Sequence, residues 1–208
     1  MLKMFARATI ACVVFLAAPV SAEQYDFGGV SIEVPSPPGY TAVPNRTAME
    51  EMSQLVKGTV TYLEYFEPKH HGQHLQSWML LQTLTRVRYL TASKQDFAQF
   101  KAKTRAMDFQ KAVEQRFPGM LQSVGISAAK IMGVNEDTDE WFMYSTAIGS
   151  PTGQGKNDEP AVMVASYLLI KGKLVTLTTY RMFKGADDVT KAQQEARLWA
   201  LAVLNANR

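Results

Sequence analysis

The only cysteine of this 208-residue chain, Cys12, lies inside an apolar run near the N-terminus. Lys3 and Arg7 provide a positive start, Ala8 to Ala18 is almost unbroken apolar sequence, and Pro19-Val20-Ser21-Ala22 closes the run. Val20 and Ala22 are small residues at the two positions that determine cleavage. The run is too short to span a bilayer and has the layout of a secretory signal peptide cut between Ala22 and Glu23. The expected product, residues 23–208, contains no cysteine. It can form no disulfide, carry no thiol nucleophile and offer no thiolate to a metal, so its fold must rest on a hydrophobic core. Its length suits one compact domain. Thr9-Ile10-Ala11 precedes Cys12, with Thr9 where a lipidation motif calls for leucine, and the apolar run continues past the cysteine. Lipid anchoring is therefore not expected.

Loss of Lys3 and Arg7 with the leader lowers the formal charge from +3 to +1. A chain so nearly neutral has no electrostatic footprint for nucleic acid. No other stretch is apolar enough to cross a membrane, which predicts a soluble product in the periplasm or outside the cell, without stable membrane insertion.

The pattern after the leader is mixed. Tyr25-Asp26-Phe27 and Val30 to Val34 read as two short strands around Gly28-Gly29, with Val30, Ile32 and Val34 on one face. Pro35-Ser36-Pro37-Pro38-Gly39 ends pairing. A short helix is expected at Thr47 to Lys57, then strands at Thr59 to Phe66 and Leu75 to Tyr89. Ser93 with Asp96 resembles a capping box and opens a helix running to Arg116, with Phe97, Phe100, Thr104 and Met107 near one face. Strands follow at about Gln122 to Val134, Glu140 to Ile148, Val162 to Ile170 and Leu174 to Phe183. Lys171-Gly172-Lys173 joins the last pair as a tight hairpin. A final helix spans Asp187 to Asn205 with the stripe Ala192, Ala196, Trp199, Ala200 and Val203. This order predicts an α+β fold, an antiparallel β-sheet flanked by helices.

Several segments have the residue types of a site. His70, His71 and His74 share a five-residue window between two strands, and neutral imidazoles suit zinc or copper. Glu67 is the one obvious local fourth donor, and Pro68 and Gly72 favour a turn over a helix. Asn135 to Glu140 carries alternating oxygen donors, but Glu140 and Thr146 stand where a calcium loop needs glycine and glutamate. Gly149 to Asn157 imitates a phosphate loop, with Ser150 in place of the first glycine and Asn157 in place of the magnesium-binding hydroxyl. The helix from Lys94 to Arg116 carries enough lysine and arginine for a lipid surface, while its aromatic residues favour packing on a sheet. Glu64 and Glu67 form a carboxylate pair with no sequence feature to fix their separation. No Gly-x-Ser-x-Gly elbow or His-Glu-x-x-His helix is present.

Ile32-Glu33-Val34-Pro35, Pro38-Gly39-Tyr40, the hairpin Tyr167 to Tyr180 and the C-terminal helix bearing Trp199 resemble, as an order of elements, the PsbP-like or DcrB-like group of exported accessory proteins. The resemblance implies an α/β/α sandwich and an accessory role, docking on or stabilising larger complexes, with no shared catalytic site. The expectation is a non-enzymatic exported protein with no cofactor, acting through a surface on an envelope protein or complex. Pro35 to Tyr40 and Gly149 to Glu159 are its candidate contact regions. The alternative is a zinc- or copper-binding protein using His70, His71 and His74. An enzyme with a diffuse site is the third reading, requiring a deep pocket of convergent polar groups.

Overall fold

The computed structural model describes residues 22–44, 49–50, 53–54, 58–70, 76–116, 129–149 and 160–208. Its strands are β1 (Ala22–Asp26), β2 (Ser31–Pro35), β3 (Tyr40–Ala42), β4 (Val60–Pro68), β5 (Ser77–Leu84), β6 (Ala129–Asp137), β7 (Trp141–Ile148), β8 (Ala161–Ile170) and β9 (Lys173–Met182). The helices are α1 (Lys94–Arg105), α2 (Phe109–Arg116) and α3 (Ala186–Ala206). Seven strands form one antiparallel sheet in the order β3-β4-β5-β9-β8-β7-β6, and β1 pairs with β2 in a separate hairpin. The chain is α+β, as its pattern predicts.

Residues directly opposite one another in an antiparallel ladder share a face, so the register sorts the side chains. Met143, Val164, Leu177, Met79 and Phe66 project to the face covered by α3. The predicted stripe Ala192, Ala196, Trp199, Ala200 and Val203 is buried there in full. Its alanines bring the helix close to the sheet, and Trp199 fills the space between, edge-on to Phe66 at 5.2 Å. The Trp199 indole donates to the Pro35 carbonyl at 2.9 Å, which joins the helix to β2. Asn207 adds a second joint, accepting from the Glu33 amide and donating to the Glu33 carbonyl as a neighbouring strand would. Ile32 and Val34 enter the same core, with Val30 packed against it.

The opposite face carries Phe142, Tyr144, Ala165, Tyr167 and Leu174. Phe97 and Phe100 of α1 cover them, Phe100 meeting Tyr167 edge-on at 4.7 Å. Ser93 and Asp96 form the expected capping box. The helix expected to continue to Arg116 breaks instead at Ala106 to Asp108. The Asp108 carboxylate accepts from the Lys111 amide and so starts a second helix. β3 was not expected, since three residues are too few to show an alternation. The strand expected over Leu75 to Tyr89 ends at Leu84, where hydrogen-bonded turns begin. Of the helix expected at Thr47 to Lys57, only 49–50 and 53–54 are described, and they are helical.

Candidate binding groove

The sheet is wider than the helix on it. Across the ladder Lys130 lies opposite Ala147, Ala147 opposite Val162, and Val162 opposite Arg181, all directed to the α3 face. Val162 and Arg181 lie beneath the start of α3, while Lys130 and Ala147 are exposed. Edge strand β6 shifts register between Ile131 and Gly133, which turns Met132 toward this same margin. Beyond β9, Phe183 closes one end, its amide donating to the Pro160 carbonyl at 2.6 Å. The result is a groove of about 380 Å³ walled by Met132, Ala147, Ile148, Val162, Phe183 and Val189. Lys130 is the one ionisable side chain among its lining residues.

Two polar assemblies fix the walls. Arg181 donates to Asp188 at 3.2 Å and to Glu195 at 3.0 Å, pinning the first turns of α3 to β9. The Asp188 carboxyl is held below its ordinary range, first by the Lys184 amide and further by Arg181. Glu195 also accepts from the Tyr40 hydroxyl, which sits 2.8 Å from the Ser77 hydroxyl. Burial pushes the Tyr40 phenol up to about 12. On the far side Arg197 binds Glu136 at 2.6 Å and Gln193 donates to Ser145 at 3.1 Å, tying α3 to β6 and β7. The groove is therefore a preformed concavity. Among the described residues its lining supplies apolar area and one cation, Lys130, which suits it to holding an apolar group.

Apart from Gly149, the site candidates singled out from sequence fall outside the groove where they are described. His70 follows β4 and is exposed, while His71 and His74 lie outside the described residues. Among the described residues no three His, Cys, Asp or Glu side chains are grouped to hold a metal ion. Glu64 and Glu67 fall on opposite faces of β4, so they do not act as a pair. Glu64 instead accepts from the Tyr25 hydroxyl, which also reaches Glu23, and burial raises the Glu64 carboxyl above its ordinary range. The acidic run is consumed locally. Asn135 accepts from Ser145, Glu136 binds Arg197, Asp137 binds Lys101 and Arg105, and Asp139 binds Lys94. The basic helix turns Phe97, Lys101 and Thr104 inward, as packing on a sheet requires. Gly149 is described but residues 150–159 of the glycine-containing loop are not. In the Pro35 to Tyr40 contact candidate, Pro37 and Tyr40 are buried, which leaves Pro38 and Gly39 as its exposed part.

The groove itself was missed in sequence. Its walls come from β6, β7, β8 and α3, and only the ladder register brings Lys130, Ala147 and Val162 into one row.

No family model and no curated protein matches the chain. Two aligned solved structures are Ran-binding protein Mog1p of Saccharomyces cerevisiae and a point mutant of protein Mog1. Each is 12% identical, over 90% of this chain and 93% of the other, with TM-scores of 0.39 and 0.40. Likeness of that size assigns this chain neither partner nor activity. These neighbours are not PsbP-like or DcrB-like proteins, and the resemblance drawn from the order of elements is corrected accordingly. Its cues have a packing explanation instead. Pro35 accepts from Trp199, and Tyr40 is buried against Ser77 and Glu195. Any sheet that seats a helix this way calls for such residues.

Proposed function

We propose that this chain is an exported, non-enzymatic binding protein whose α3-side groove accepts an apolar anchor from an envelope protein. The observation that carries the reading is the concave strip beside α3, where Met132 is 51% exposed and Phe183 41% exposed around a nearly uncharged floor. Contiguous apolar concavities of this kind mark recognition sites, and one or two buried anchors supply most of the energy of such contacts. Export is supported by the leader-like pattern of residues 1–22. Cleavage after Ala22 would remove one pair, Ala22 with Pro35, and leave the other four of the β1–β2 ladder in place.

The test is in vivo cross-linking with the parent chain and with Ala147→Trp, which fills the groove from an exposed position. A specific adduct in the parent that falls at least tenfold in the variant, with an unchanged melting temperature, supports the reading. An adduct equally strong in both chains removes the groove from the account.

A further inference from the structure

Among the described residues, the two most exposed large apolar side chains lie far from the groove. Tyr89 is 68% exposed and Leu90 60% exposed, adjacent at the apex of the turn between β5 and α1. Exposed pairs like this usually sit on loose loops. This one is braced on two sides. Arg88 donates through Nε and Nη2 to the Asp26 carbonyl at 3.0 and 2.7 Å, tying the turn to the β1–β2 hairpin. A β-carbon on Gly28, whose φ is +62°, would stand 2.7 Å from the Arg88 carbonyl oxygen. From the other side, the Ala92 amide donates to the Gly172 carbonyl at 2.8 Å, and buried Lys173 donates to the Leu90 carbonyl at 3.1 Å. Both hairpin tips therefore hold the turn, with one edge of the Tyr89 ring beside Gly28, while its tyrosine and leucine remain largely exposed.

Three carboxylates around this apex face a cation, Asp26 with Arg88, Asp139 with Lys94 and Glu140 with Arg208, while Asp96 accepts from Ser93 at the α1 cap and keeps its charge. Arg86 and Lys171 are exposed and have no carboxylate partner among the described residues, Lys171 reaching only Asn207 at 3.4 Å. A tyrosine and a leucine at a fixed convex tip, flanked by free cations, match the headgroup boundary of a bilayer. The phenol has an apolar body with a polar end, and cations beside it meet anionic headgroups. We propose that the turn from Thr85 to Ala92 is a docking surface for an anionic lipid bilayer, which it touches without inserting a helix. Among the described residues no helix is long and apolar enough to cross a membrane. This contact uses a different surface from the groove and stands or falls independently of it.

Site-specific fluorescence tests it. In a Cys12→Ser chain, a bimane probe is attached at Tyr89→Cys or, for comparison, at Phe183→Cys. The chains are mixed with vesicles containing phosphatidylglycerol and a headgroup-depth nitroxide lipid. Quenching is expected to be several-fold stronger at position 89 than at 183, and to disappear with phosphatidylcholine vesicles. Arg86→Gln and Lys171→Gln should each weaken vesicle binding by about fivefold. Equal quenching at the two positions, no quenching at 89, or insensitivity to both charge changes overturns the proposal. Both labelled chains carry the same residues 1–21, so any lipid affinity there adds to both and does not imitate the difference between positions.

Discussion

The two ends of the interior strand β8 present apolar surface in opposite ways. At Ala161 the surface is concave, a strip that α3 leaves open among the described residues. At Ile170, about 30 Å away by strand rise, it is convex, a turn clamped between two hairpin tips. The concave end can enclose an anchor and remove it fully from water, which favours one shape of partner. The convex end cannot enclose anything, so it suits a deformable, extended surface. The same chemistry, exposed methionine or phenylalanine against exposed tyrosine and leucine, acquires different uses from curvature alone.

The sharpest way to break this contrast is to unclamp the convex end. Gly28→Ala places a β-carbon against two backbone atoms, the Arg88 carbonyl oxygen and the Tyr89 Cα, in a left-handed conformation. Its cost is expected at about 3 kcal/mol, of which roughly 1–2 is conformational. Gly29→Ala supplies the control, since φ is +83° there but nothing lies within 4 Å of the added carbon. It should cost only the conformational part, about 1–2 kcal/mol. Denaturant melts of both variants decide the matter, and equal losses would mean that the close approach does not brace the turn.

A smaller effect sharpens the link between the β1–β2 hairpin and the sheet. Burial raises the Glu64 carboxyl, so the folded state holds its proton more tightly than the unfolded state. The stability this contributes is present below the ordinary carboxylate range and lost as pH rises through the folded value. Asp96 behaves oppositely, since bonds from Ser93 lower its carboxyl and its contribution is lost as pH falls. Glu64→Gln keeps an acceptor for Tyr25 and removes the titration. Its melting temperature should exceed that of the parent at neutral pH, with the gap closing as pH falls toward the ordinary carboxylate range. A gap constant with pH would show that Glu64 does not carry the effect.

Much of this fold is legible in the residues, for physical reasons that differ by element. The stripe Ala192 to Val203 states its period, and Lys171-Gly172 states its turn, Lys171 adopting a positive φ of 50°. Glycine-rich tips and alternating strands are local properties of the chain. The helix break at Asp108 is local too, but a capping aspartate inside a continuous amphipathic pattern reads as one more exposed charge. The groove is not local. Nothing in Lys130, Ala147 or Val162 says that β6 is an edge or that the start of α3 leaves this end of it open, and sheet order arises from the whole ladder. The histidine window is conspicuous by residue type, whereas a groove lined by alanine, valine and methionine reads in sequence as ordinary core.

The central claim is that the groove end is the protein-binding end, and photo-cross-linking in intact cells tests it most directly. A photoreactive phenylalanine derivative is placed at Met132 in the groove wall, and separately at Gln194 on the exposed side of α3. A discrete adduct with an envelope protein from position 132, absent from position 194 and lost when Ala147→Trp is added, is the expected result. No adduct from 132, or the same adduct from both positions, would contradict it.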